Sequence, residues 1–118
     1  MTLRIPPVDG ADAVRARVPA VLVSHRESVD AGLKELCARY LASDDDVVAQ
    51  AEDPERYGER ERAALAWAHA IAWDADRADV ALWEVLHRHF DDPQLVELGY
   101  AIAYAMGQQR WVATLGLR

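Results

Sequence analysis

From Val29 to Met106, apolar residues recur three and four positions apart, the spacing of a helix face rather than the alternation of a strand. The clearest stripe is Val29, Leu33, Leu36, Cys37, Tyr40 and Leu41, which predicts an amphipathic helix with Asp30, Lys34, Glu35 and Arg39 elsewhere around it. Ser43, Asp44, Asp45 and Asp46 stop that helix. Their side-chain oxygens can cap a short helix over 47–52, which Asp53-Pro54 closes. From Gly58 onward, Ala64, Leu65, Trp67, Ala68, Ile71 and Ala72 form a broad apolar face, and Glu59 and Glu61 complement the helix dipole at its start.

A loop over 74–77 leads to a helix with the stripe Leu82, Trp83, Leu86 and Phe90, capped by Asp79. Asp92 followed by Pro93 reads as an N-cap with proline at the first helical position. The helix that follows is apolar almost all the way round between Leu95 and Met106, which predicts that it is surrounded, with a partner subunit covering one side. Before Val29 the pattern is weaker. Two prolines and Asp9-Gly10 predict an extended arm over 1–10, and Val14, Val18, Val21 and Leu22 suggest a helix that Pro19 interrupts. With no strand pattern, internal repeat or low-complexity segment, the expectation is all-α: one small helical bundle of five to six helices spanning 1–118.

Charge narrows the partners. The chain carries a net charge of −7, and Lys34 is the only lysine among its 13 cationic residues, so it has no basic patch to neutralise phosphates. Nucleic acid is therefore not an expected partner. The run from Leu98 to Met106 falls short of the ~20 apolar residues that span a bilayer, so no membrane association is expected. Met1 to Pro7 lacks the apolar stretch of an export signal, and a single thiol fits a reducing compartment; together they predict a cytoplasmic protein. With Cys37 alone there is neither a disulfide framework nor a two-cysteine redox cycle.

Metal ligation finds no support in the spacing. His87 and His89 are two apart on a helix and point away from each other, while His25 and His69 lie on other elements. Asp44, Asp45 and Asp46 lack the alternation and the glycine of a calcium loop. No phosphate-binding glycine loop, nucleophile elbow or zinc-protease element occurs. What remains is a looser polar set around Cys37: Glu35, Arg39 and Tyr40, with His25 shortly before them. Glu35 and Arg39, four apart, would also make an ordinary helical ion pair.

The stretches Glu59 to Ala68, Ala81-Leu82-Trp83, His89-Phe90-Asp91-Asp92, Leu95 to Leu98 and Gln109-Arg110-Trp111 to Leu117 resemble the C-terminal half of carboxymuconolactone decarboxylase-like proteins. Leu33 to Leu36 looks like the start of that family's central helix, and the resemblance covers about 29–117. It implies an alkyl hydroperoxidase D-like bundle assembled as a homo-oligomer. The peroxidase members carry a glutamate, two cysteines spaced Cys-x-x-Cys, and a histidine. With Glu35 in the glutamate's place, Val47 and Gln50 stand where the cysteines belong and Pro54 where the histidine belongs. Neither replacement supplies a thiolate or a resolving thiol, so that cycle is not expected here.

Other members of the family resemble lactone decarboxylases that work without cysteines or a cofactor. On that pattern Glu35 would be the acid/base group, Arg39 or Arg110 would hold a substrate carboxylate, and His25 or His69 would assist proton transfer. Tyr40 and Trp111 would join Arg110 in contacting a small organic ligand, of lactone or carboxylate type, between helices or subunits. Two alternatives stand beside this reading. One is a structural, oligomeric member that has lost its chemistry; its four tryptophans, Trp67, Trp73, Trp83 and Trp111, would serve core and interface. The other is a lone-thiol peroxidase in which Arg39 or His25 activates Cys37, against which stands the place of Cys37 on an apolar stripe.

Overall fold

In the computed structural model, residues 28–116 are described, and all their regular structure is helical. The expected arm over 1–10, the interrupted helix around Val14 to Leu22, and His25 lie outside the described residues. Five α-helices follow one another: α1 (Ala31–Leu41), α2 (Asp45–Gln50), α3 (Glu59–Trp73), α4 (Val80–His89) and α5 (Asp92–Thr114), with a 3-10 turn at Ala75–Arg77 before α4. The all-α bundle expected from the apolar spacing is the fold observed.

Local chemistry fixes where each helix begins. Asp30 caps α1 by accepting from the Leu33 amide, Asp44 caps α2 by accepting from the Asp46 and Val47 amides, and Asp79 caps α4 by accepting from the Leu82 amide. The last helix corrects the expectation by one residue. Asp91, not Asp92, is its N-cap: Asp91 accepts from the Gln94 amide at 2.8 Å, and the Gln94 side chain accepts from the Asp91 amide at 3.0 Å. That reciprocal box satisfies two orphan amides at once, which a cap at Asp92 would not.

Helix α3 lies at the centre and packs against α1, α4 and α5, while α1 also packs on α5. Its buried residues Ala63, Ala64, Leu65, Trp67, Ala68 and Ala70 spread over most of its circumference, because it has neighbours on several sides. Leu33, Cys37 and Leu41 from α1, Leu86 from α4, and Leu95, Leu98 and Ile102 from α5 complete the core. Gly99 permits the closest approach within it, since a Cβ there would stand 3.0 Å from Cη2 of the buried Trp67. Trp83 meets Trp67 edge-on, with ring centroids 5.5 Å apart.

One acid is buried in this apolar interior. Glu97 on α5 is 5% exposed and accepts from the amides of Ser28 and Val29, at 2.9 and 2.7 Å, and from the Ser28 hydroxyl. It thereby fastens the entry to α1 onto α5.

The described elements do not enclose α5. Tyr100, Tyr104, Trp111 and Leu115 are exposed, so the helix is covered on one side by the bundle and open on the other. An apolar composition records what a helix can tolerate around it, and here that includes a face no described element covers. None of the helices among the described residues is long and apolar enough to cross a membrane.

Candidate functional site

Packing of α1 on α3 brings together two residues that are 29 positions apart in sequence. The Tyr40 hydroxyl and Nδ1 of His69 lie 2.9 Å apart, within hydrogen-bond range, and both side chains are half-buried. They stand in the wall of a cavity of about 460 Å³ whose lining includes Val48, Glu52, Arg62, Leu65, Arg77 and Leu82. Apolar and charged side chains thus share one concave surface, the usual make-up of a small-molecule site. Trp73 completes an aromatic group there, its ring centroid 5.9 Å from that of Tyr40 and 5.3 Å from that of His69.

The charges around the pair have identifiable roles. Burial pushes the Tyr40 hydroxyl above its ordinary value; the negative charge of Glu52 adds to that and the positive charge of Arg77 opposes it. The phenol therefore stays protonated at neutral pH, as a donor or a relay rather than a phenolate. Arg62 is held by a hydrogen bond from its Nε to the Tyr57 carbonyl, 3.0 Å away. Among the described residues this is its only hydrogen bond, so the two terminal nitrogens of its guanidinium can reach a carboxylate. Arg77 leans on Asp74 at 3.3 Å, and Asp79 is engaged in capping α4.

The residues singled out from the sequence fall in three places. Tyr40 and His69 meet in the cavity just described. Glu35 and Arg39 line a separate groove of about 280 Å³ with Asp30, Tyr57, Arg60 and Glu61, and both are exposed. Arg39 does not pair with Glu35 as its spacing suggested. Its Nε and terminal nitrogen reach the Asp44 carboxylate at 3.1 and 3.0 Å, because the chain reverses at Ser43, whose φ is +61°, and carries Asp44 back beside the end of α1. Arg110 and Trp111 lie on the exposed side of α5, where Trp111 borders a shallow surface with Tyr104 and Gly107.

His87 and His89 make surface pairs. Nε2 of His87 lies 3.2 Å from Asp92 and Nε2 of His89 lies 2.8 Å from Glu59. Among the described residues, no three His, Cys, Asp or Glu side chains are gathered as a metal would require. Cys37 is 1% exposed, and burial pushes its thiol up to about 12. A thiol so placed remains protonated and shielded, which removes the thiolate on which peroxide chemistry depends.

Sequence reasoning passed over Arg62, Glu52 and Arg77. For Arg62 a signal was present: Arg62, Leu65, Ala66 and His69 follow one another at helical spacing, so a candidate His69 implicates the residue two turns before it. Glu52 and Arg77 lie outside the α-helices, beyond the reach of periodicity. Comparison with protein-family models, with curated proteins and with solved structures finds no match in any of the three.

Proposed function

We propose that this is a carboxymuconolactone decarboxylase-like helical protein that binds a small organic acid or lactone in the Tyr40–His69 cavity, without cofactor and without two-cysteine peroxidase chemistry. The observation that carries the reading is the 2.9 Å contact between Tyr40 and His69 inside a cavity that Arg62 also lines. An acid would set its carboxylate on the terminal nitrogens of Arg62 and its carbon skeleton against Leu65 and Leu82. Its remaining oxygen, or an acidic C–H beside a carbonyl, would face the Tyr40 hydroxyl.

That arrangement suits acid–base conversion of the ligand as well as binding. With His69 as the imidazolium, the Tyr40 proton passes to the ligand while the Nδ1 proton replaces it on the Tyr40 oxygen, leaving a neutral imidazole. Reversal of the relay takes a proton from another atom of the ligand, which is an isomerisation. The phenol's raised pKa favours this concerted transfer over a standing phenolate. On this reading Tyr40 and His69 carry the acid–base work, and Glu35 and Arg39 lie outside the site.

Amide chemical-shift mapping with benzoate and with a lactone acid tests the proposal. Perturbations should gather on residues 40, 48–52, 62–69 and 77–82. Perturbations confined to the groove bearing Glu35 and Arg39 would refute it and return the acid–base role to Glu35.

A second reading, that of an oligomeric and structural member, is favoured by one observation. Tyr100, Tyr104, Gly107 and Trp111 on α5 are spaced four, three and four apart, which draws a single seam along the helix. Arg110 is the only charged residue in 98–116. In an acidic chain this is therefore a face on which two copies meet without strong repulsion. Self-association through α5 is compatible with a working cavity, since the two lie on different surfaces.

A further inference from the structure

The contact between Tyr40 and His69 has a direction that depends on protonation. In the neutral imidazole with its proton on Nε2, Nδ1 is an acceptor and the Tyr40 hydroxyl hydrogen is committed to it. Toward the cavity Tyr40 then offers only lone pairs, which repel an anion. In the imidazolium, Nδ1 carries a hydrogen and donates to the Tyr40 oxygen. The hydroxyl hydrogen is released and can point into the cavity. Starting from that tautomer, one proton adds a positive charge and reverses the polarity of the phenol; starting from the neutral tautomer with its proton on Nδ1, it adds the charge alone.

We infer that anion binding in this cavity is coupled to proton uptake by His69, with Tyr40 converting the added charge into a hydrogen-bond donor for the ligand. This rests on the proposed binding site and adds its regulation. The groups facing the pair are few. Arg62 on α3 and Arg77 before α4 add positive charge, while Glu52 after α2 and Asp79 at the cap of α4 add negative charge. Imidazole is the side-chain type among these that can take up a proton in the neutral range, and His69 supplies the one in the cavity wall. By linkage, a ligand that prefers the imidazolium raises the affinity of His69 for its proton by the factor that the proton raises affinity for the ligand.

Benzoate is a suitable probe because it remains an anion throughout this range. Titrations on the full chain with the background substitution His25→Gln should show the dissociation constant tightening as pH falls, by up to about tenfold per unit through the imidazole range. Calorimetry in two buffers of different ionisation heat should register uptake of up to about one proton per benzoate. In the same protein, the ring-proton NMR titration of His69 should move to higher pH when benzoate is added. Tyr40→Phe should weaken binding at pH 5.5 more than at pH 8, whereas loss of a merely structural contact would weaken both alike. Benzoate binding in the cavity with a flat pH profile and no proton uptake overturns the coupling and leaves the site standing. Absence of benzoate-induced shifts at the cavity residues at every pH overturns both.

Discussion

The Lys34 ammonium on α1 sits 2.9 Å from the Glu97 carboxylate on α5, and the same oxygen accepts from the Val29 amide at 2.7 Å. Four donors therefore converge on one buried acid. Burial alone would raise the Glu97 carboxyl, but the hydrogen bond from Lys34 and those from the Val29 and Ser28 amides outweigh it and hold the group below its usual 4.5. Because α1 contributes Tyr40 and α5 braces α1, this acid sits beneath the geometry of the cavity.

Glu97→Ala should cost about 2–4 kcal/mol in urea unfolding, since it strands two backbone amides and an ammonium together. Lys34→Met should cost less, because Glu97 keeps its other donors and Lys34 is 27% exposed. The pH dependence follows from the sign of the shift. A carboxyl depressed by folding stabilises above its unfolded value and loses that contribution as pH falls through its lower folded value. Wild-type stability should therefore fall below about pH 4.5, and the fall should be shallower in Glu97→Gln. An equal slope in the two proteins would contradict the assignment of this acid-labile contribution to Glu97.

Cys37 gives the opposite sign at the alkaline end. Its thiol is ordinarily near 9.0 and burial lifts it to about 12, so folding keeps it protonated. The associated stability is complete below pH 9.0 and is lost as pH rises toward 12. Cys37→Ala should reduce that alkaline loss while costing about 1 kcal/mol at neutral pH from the volume removed. Iodoacetamide should label the native protein at pH 7.5 only as fast as it unfolds. Rapid labelling without unfolding would reopen lone-thiol chemistry.

The caps show how far the sequence can be read. Asp79 is the cap its stripe predicted, but Asp30, read as part of the first helix, proves to be its cap, and the short helix expected over 47–52 starts two residues earlier at Asp45, directly after Asp44. At Asp91-Asp92-Pro93 two carboxylates compete, and proline is tolerated at either of the first two helical positions. What decides is the reach of Gln94 back to the Asp91 amide, a side-chain event that periodicity does not encode. The site was partly legible for the same reason. Tyr40 and His69 are suitable residue types, but only the packing of α1 against α3 pairs them, whereas Glu35 and Arg39, adjacent by spacing, were parted by the reversal at Ser43. The apolar girth of α5 was plain from composition, while its uncovered side depends on what the rest of the chain places there.

The cap assignment has its own test. Asp91→Ala should cost about 1 kcal/mol through loss of the capping box, and Gln94→Ala part of that. Asp92→Ala removes only a first-turn charge and an exposed contact to His87, so its cost should stay within about 0.5 kcal/mol. Thermal unfolding of the three variants ranks them directly. Equal losses at positions 91 and 92 would mean that the box contributes little.

The open side of α5 makes the last prediction. Tyr104 is 71% exposed and Trp111 64%, more than a monomer gains from leaving large aromatics in water. With Gly107 between them, a second helix can approach closely enough for the rings to pack across it. Sedimentation equilibrium at tens of micromolar should detect self-association of the wild-type chain. Tyr104→Glu and Trp111→Glu should each shift it toward monomer by placing like charges in the seam. Because neither side chain belongs to the buried core, both variants should keep the far-ultraviolet spectrum and the benzoate response of the wild type. A wild-type chain that stays monomeric at every concentration would remove the oligomeric reading. Association that survives both substitutions would place the contact elsewhere on the bundle.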